Sequence, residues 1–129
     1  MRVEWLILAD SAEVLDNKLY MLGGGWTRLT VHSQFPVAQH FGIAISVALD
    51  NDETGRPQEF ALDLLNPDGK LLATLEAEFV VKTTTPGPGR WQFASQVDVS
   101  LDSPGHYSVV VHLNGEESTR LEFEVARAQ

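Results

Sequence analysis

The sequence predicts an all-β protein, an immunoglobulin-like sandwich of two antiparallel sheets with about eight or nine strands. Apolar residues recur with a period of 2, which is typical of strands with one buried face, whereas no long segment has the 3.6-residue period of a helix. Turn-forming pairs such as Asn-Gly and Pro-Gly separate these segments. A chain of 129 residues is of the size of one such sandwich, so we expect residues 1–129 to form a single domain.

The C-terminal region predicts a β-hairpin. In HYSVVVHL (106–113) and TRLEFEV (119–125) every second residue is apolar, and the intervening residues are charged or polar except Val110. Asn114 and Gly115 stand between the two segments and tolerate the positive φ angles of a tight turn.

The middle of the chain continues the alternation. Pro67 and Gly69 suit a turn between two of its strands, because proline presets φ and glycine accepts the closing geometry. The predicted strands are FGIAISVAL (41–49), FALDLL (60–65), LLATLEAEFVV (71–81) and RWQFASQVDVSL (90–101).

The segment LDSPGHY (101–107) resembles the tyrosine corner of immunoglobulin-like sandwiches, where a tyrosine opens a strand after a tight corner. This segment has a Pro-Gly corner and Tyr107 at the start of the next strand.

The N-terminal strands VEWLILA (3–9) and KLYML (18–22) are apolar on both faces, unlike the C-terminal strands. In the first, we expect Val3, Trp5 and Ile7 to share one face and Leu6 and Leu8 to lie on the other. If one register runs through the three glycines of LYMLGGGWTRL (19–29), a single face carries a row of candidate binding residues. These are Tyr20, Leu22, Gly24, Trp26 and Arg28. The alternative is that a segment of the same chain covers this face, or that a bulge at the glycines breaks the register.

The strand 41–49 places only small residues on its second face, which suits close packing against another surface. They are Gly42, Ala44, Ser46 and Ala48. Apolar surface on the outside of a sheet marks an interface or a ligand groove, and tyrosine and tryptophan are favoured anchors there. The sequence therefore predicts a docking face for a protein partner or a second copy of the chain.

The glycine triplet does not fit a phosphate-binding loop. Phosphate and dinucleotide loops lead into a helix N-terminus, whereas GGGW is followed by the strand pattern TRLTV. TPGPGR (85–90) lacks a following helix too, and no G-x-S-x-G nucleophile elbow occurs in the chain. We expect a bulge or a close backbone approach at the triplet.

DNDETG (50–55) is the most metal-like motif, since its Asp50, Asp52, Thr54 and Gly55 match the first half of an EF-hand loop. The twelfth position, which should be a glutamate, is Ala61. We expect a polar turn, and whether it binds calcium stays open.

Other polar clusters also favour solvent exposure over catalysis. No two of the four histidines, His32, His40, His106 and His112, have a spacing that directs both at one metal. The pairs Glu76/Glu78 and Glu122/Glu124 alternate as acids do on a solvated strand face. We therefore expect no catalytic residue, no metal site and no cofactor.

Composition narrows the class of protein. The net charge of −9 argues against nucleic-acid binding, which needs a surplus of basic residues. No segment approaches the ~20 apolar residues of a membrane span, the N-terminus is a poor signal peptide, and the chain has no cysteine. We expect a cytoplasmic protein without disulfides.

The patterns VEWLILADSAEV…KLYMLGGGW and PGHYSVVVHLNGEE resemble a family of small uncharacterised bacterial proteins, a domain of unknown function. The LAD and GGGW elements are their most specific parts. The resemblance implies a bacterial β-sandwich and no activity.

Taken together, the sequence favours a non-enzymatic binding or assembly module. The alternative is a carbohydrate-like ligand site that uses Tyr20, Trp26 and Trp91 as stacking surfaces, and a third is an enzyme with a dispersed site.

Overall fold

A computed structural model describes residues 1–83 and 87–129 of the chain. The described residues form nine strands and no helix. They therefore contain no helix that could cross a membrane. The strands are β1 (Arg2–Leu15), β2 (Lys18–Gly24), β3 (Arg28–Val31), β4 (Val37–Leu49), β5 (Gln58–Leu65), β6 (Leu71–Phe79), β7 (Gly89–Leu101), β8 (Gly105–Leu113) and β9 (Glu116–Arg127).

The strands form two sheets. Sheet A has the order β2-β1-β4-β7, and sheet B has the order β3-β9-β8-β5-β6. All strand pairs are antiparallel except β3 with β9, which is parallel. The prediction of an all-β, two-sheet sandwich with eight or nine strands is confirmed.

The core lies between the sheets and follows the alternation of the sequence. On β4 every second residue from Phe41 to Leu49 is fully buried, and these side chains meet those of β5, β8 and β9. Burying side chains of this size contributes roughly 1.5–3 kcal/mol each. The largest fully buried side chains are Tyr107, Phe41, Phe60 and Phe123.

The predicted C-terminal hairpin is confirmed as β8 and β9. Asn114 and Gly115 connect them with φ angles of 50° and 84°, as the sequence predicts. The predicted turn at residues 66–69 is also present, where the Asn66 side chain accepts hydrogen bonds from the backbone N–H groups of Asp68 and Lys70.

Tyr107 opens β8 after the corner and anchors it by a hydrogen bond. Its ring is fully buried, and its hydroxyl donates to the backbone oxygen of Ser103 at 2.7 Å. This bond satisfies the buried hydroxyl and fixes the corner before β8.

A β-bulge at Glu4 changes which residues of the first strand face the core. Val3 pairs with Val47 and Trp5 pairs with Ser46, so Glu4 is the extra residue. Beyond the bulge, Leu6 and Leu8 pack in the core together with Val3, whereas Trp5 packs on the outside of sheet A. The expectation that Val3 and Trp5 share a face is therefore wrong.

The second half of β1 leaves β4 after Ala9 and pairs only with β2 within the described part of the chain. We call residues 11–22 the hairpin arm. The arm folds over the outer face of β4 and β7: a Cβ atom at Gly42 would lie 2.8 Å from the backbone nitrogen of Ala12. The Gln96 side chain donates to the Ala12 carbonyl oxygen at 2.8 Å. The chain therefore covers part of its own small-residue face.

The glycine triplet ends β2 and takes the chain from sheet A to sheet B. Gly23 and Gly25 have φ angles of 60° and 92°, which disfavour other residues. The Gly25 N–H donates to the carbonyl oxygen of Leu8 at 2.8 Å. After this turn the chain enters β3 beside β9, so the expectation of one register through the triplet is wrong.

Candidate functional site

The hairpin arm has one face on the protein and one face in solvent. Leu19 and Met21 pack against a small cluster of buried alanines on the outside of sheet A, namely Ala9, Ala12 and Ala44. The opposite face carries the largest exposed apolar side chains of sheet A. These are Leu15, Tyr20 and Leu22, which are 52%, 54% and 73% exposed.

Charged residues surround this apolar face. Glu13 and Asp16 on the arm and Asp10 just before it are exposed, and Lys18, directly opposite Leu15, is the one basic residue among them. Glu13 lies directly opposite Tyr20 in the β1–β2 register. The face therefore combines apolar side chains with a mainly acidic border. Below, the arm face means Leu15, Tyr20 and Leu22.

Of the five predicted binding residues, the structure brings Tyr20 and Leu22 together and separates the others. Gly24 ends β2 beside the Met21 side chain. Trp26 turns to the interior, and Arg28 lies on β3 in sheet B. Because the positive φ angles at the triplet redirect the chain, the five residues do not form one surface.

Trp26 is part of an aromatic cluster between the sheets. Its ring centroid lies 5.6 Å from that of Phe41 and 5.9 Å from that of Phe123, both in edge-to-face geometry. Such pairs stabilise by roughly 0.5–1.5 kcal/mol beyond area burial. Trp26 is thus positioned for packing.

The three aromatic residues proposed for carbohydrate stacking, Tyr20, Trp26 and Trp91, do not share one exposed surface. Trp91 stacks on Phe79 with centroids 3.8 Å apart and meets Phe60 at 5.3 Å, inside the sandwich. Tyr20 is the exposed member of the three. The tryptophans therefore do not form a shared exposed platform with Tyr20.

An ion pair that the sequence did not reveal lies at the base of sheet A. Arg90 donates from Nε and Nη2 to the two carboxylate oxygens of Glu4, at 2.6 Å and 3.1 Å. The buried Ser46 hydroxyl also donates to Glu4. The hydrogen bonds from Arg90 and Ser46 lower the pKa of Glu4 to about 2. No local signal pairs these residues, because they are 86 positions apart.

The DNDETG turn brings three carboxylates together. Ligand atoms of Asp50, Asp52 and Glu53 lie within 4.8 Å of one another. Both Glu53 oxygens accept hydrogen bonds from the Met1 ammonium group at 2.8 Å, and one also accepts from the Asp50 N–H. The ammonium group lowers the pKa of Glu53. Glu53 is therefore engaged in holding the turn.

The outer face of sheet B is acidic. A shallow depression of about 440 Å³ on β5 and β6 is lined by Glu59, Glu76, Glu78 and His112. Glu59 and Glu78 are directly opposite each other and exposed. The prediction that Glu76 and Glu78 lie on a solvated face is confirmed.

The histidines are spread over both sheets. His32, His40 and His106 are exposed, as expected, and His112 is half-buried. His40 lies 2.7 Å from Asp98, and His112 lies 3.5 Å from Asp63. These two histidines therefore contact different aspartates on different sheets.

Residues 4–126 match DUF6941, a family of unknown function, and the chain belongs to this family. The expected membership of an uncharacterised family is thereby confirmed, while the bacterial origin stays a prediction. A search of curated proteins finds no match.

Proposed function

We propose that the protein is a non-enzymatic binding module that docks another protein through the arm face. The observation that carries this proposal is the exposure of Leu15, Tyr20 and Leu22 on a hairpin whose other face is packed. Contiguous exposed apolar side chains are characteristic of interaction sites, and tyrosine is enriched among the residues that dominate binding energy.

The arm is suited to docking because its shape is supported before binding. Leu19 and Met21 hold its inner side on sheet A, and the Gln96 side chain binds the Ala12 carbonyl. A surface that is already ordered loses little conformational entropy on association, and this favours affinity.

The charge of the arm indicates the chemistry of the partner. Glu13 and Asp16 of the arm and Asp10 just before it outnumber the single Lys18, which lies opposite Leu15. A second copy would bring the same acidic border and be repelled, whereas an apolar groove bordered by lysine or arginine would be attracted. The occupant of the arm face is therefore a different protein with a basic-rimmed apolar groove.

The scaffold is an immunoglobulin-like sandwich in this proposal. Strands β1-β4-β7 face β9-β8-β5, the order of strands A-B-E and G-F-C in that fold, and Tyr107 makes the corner hydrogen bond. A cytoplasmic location agrees with a chain that has no cysteine.

Site-specific crosslinking tests the docking face. A photo-crosslinking amino acid replaces Leu15, and the matched control places it at Leu71, which is also 52% exposed but lies on β6 of sheet B. After irradiation in the producing cells, we expect position 15, and not position 71, to give a defined covalent adduct that mass spectrometry identifies.

The identified protein is then purified and titrated with the whole chain. We expect Tyr20→Ala to raise Kd at least tenfold, because a central aromatic anchor is removed, and Leu71→Ala to change it less than twofold. Equal crosslinking from both positions, or a Kd that Tyr20→Ala leaves unchanged, would overturn the proposal.

A further inference from the structure

Strand β7 is a long sheet edge. It pairs with β4 over thirteen consecutive residue pairs, from Leu49 with Gly89 to Val37 with Leu101, without a register shift. In residues 1–83 and 87–129 no strand pairs with its other side. An edge of this length presents a row of backbone donors and acceptors that can pair with another strand.

The other sheet edges carry features that discourage pairing. The edge strand β3 has only four residues, β6 carries Glu76 and Glu78, and β2 begins with Lys18 and ends in glycines. Short length and charge are the usual protection of edges. In β7, by contrast, no charge interrupts the run from Trp91 to Val97.

The two charged residues of β7 are placed symmetrically. Arg90 and Asp98 each lie four residues from Ala94, and all three are on the outer face of the strand. If two β7 strands run antiparallel with Ala94 opposite Ala94, each Arg90 lies opposite an Asp98 of the other copy. Opposite charges in such cross-strand pairs are stabilising, and like charges are destabilising.

We propose that two copies of the chain associate through their β7 edges in this register. The interface is isologous, so one two-fold axis passes beside Ala94 and closes the assembly as a dimer. Both ion pairs form at once, and the four-stranded sheets join into one eight-stranded sheet.

The charged side chains are available for this contact. Arg90 is 60% and Asp98 is 84% exposed, although they already contact Glu4 and His40. Arg90 binds Glu4 through Nε and Nη2, which leaves Nη1 for the partner's Asp98.

Side chains on the inner face of β7 also match in this register. The half-buried Trp91 lies opposite the partner's Val97, and the half-buried Phe93 lies opposite the partner's Ser95. The pairing places a large side chain opposite a smaller one in both cases.

Charge reversal tests the register. Sedimentation velocity of the wild type is expected to show a species of twice the 14.2 kDa chain mass. Asp98→Arg alone and Arg90→Glu alone place like charges opposite each other, so each is expected to weaken dimerisation at least tenfold. An equimolar mixture of the two variants pairs opposite charges at both positions and is expected to restore the dimer.

A cysteine pair tests the same register independently of the charge variants, in case Arg90→Glu fails to fold without its Glu4 contact. The chain has no cysteine, so Ala94→Cys introduces one at the two-fold axis, within the 4.4–6.8 Å Cα distance of a disulfide. Ser100→Cys is the control on the same strand face, far from its counterpart. We expect mild oxidation to crosslink Ala94→Cys at least ten times faster.

A wild type that is monomeric up to millimolar concentration, a mixture that stays monomeric, or equal crosslinking at both positions would overturn this proposal. The dimer test is independent of the docking test on the arm face. We expect Tyr20→Ala to leave the dimer intact, and we expect the β7 variants to leave crosslinking from position 15 unchanged.

Discussion

The outer faces of the two sheets have opposite characters. On sheet A, Gly42, Ala44 and Ser46 are buried although they point away from the core. On sheet B, Glu59, Glu76 and Glu78 occupy corresponding outward positions and are exposed. One face is covered by the hairpin arm, and the other is in contact with solvent.

The size of the side chains accounts for this difference. Ala12 of the arm approaches so closely that a Cβ at Gly42 would lie 2.8 Å from its backbone nitrogen. Such an approach is possible only over small residues, because interiors are close-packed and tolerate little extra volume. A row of small residues on an outward face therefore indicates a covering segment, whereas a row of acids indicates solvent.

The strongest test of this difference introduces a lysine on each face. Ala44→Lys places a charge beneath the arm, and we expect the free energy of unfolding to fall by about 3–5 kcal/mol, as for an uncompensated buried charge. Ala61→Lys places the same side chain among Glu59, Glu76 and Glu78, and we expect no loss. Urea denaturation measures the free energy of unfolding of both variants. Equal destabilisation by Ala44→Lys and Ala61→Lys would contradict the assignment of one face as covered and the other as solvated.

A second test separates packing from docking among the aromatic residues. Trp26→Ala removes contacts with Phe41 and Phe123, and we expect a loss of about 3 kcal/mol, at the lower end for large aromatic deletions because Trp26 is half-buried. Tyr20→Ala on the arm face should cost less than about 0.5 kcal/mol, as for surface substitutions. Thermal and urea unfolding measure the stability of both variants. A larger loss of stability for Tyr20→Ala than for Trp26→Ala would show that Tyr20, and not Trp26, has the structural role.

The strands were predictable because their signals are local. Alternation over residues 106–113 and 119–125, together with Asn114-Gly115, defines a hairpin without knowledge of the rest of the chain. The corner at Tyr107 was predictable for the same reason. Each depends on neighbours within a few positions, which one sequence displays.

The candidate site was less predictable because it depends on where the chain changes direction. The bulge at Glu4 and the positive φ angles at Gly23 and Gly25 each break an alternation that the sequence continues without interruption. Sequence reasoning thus located Tyr20 and Leu22 on an exposed face but assigned Trp26 to the same surface. The contact of Glu4 with Arg90 joins distant segments and has no local signal.

The smallest expected effect concerns the ionisation of Glu4, which accepts a hydrogen bond from the buried Ser46 on the outer face of sheet A. Folding lowers its pKa from 4.5 to about 2 through Arg90 and Ser46. The charged form is favoured in the folded state, so its stabilising contribution is present above about pH 4.5 and is lost as the pH falls towards 2. Glu4→Gln should therefore lower Tm at pH 7, and the difference from wild type should shrink between pH 4.5 and 2.

Glu78→Gln, the matched change on sheet B, removes a charge opposite Glu59 and should slightly raise Tm at pH 7. If the Tm difference between Glu4→Gln and wild type is the same at pH 7 and pH 2, Glu4 contributes through its shape and not through its charge.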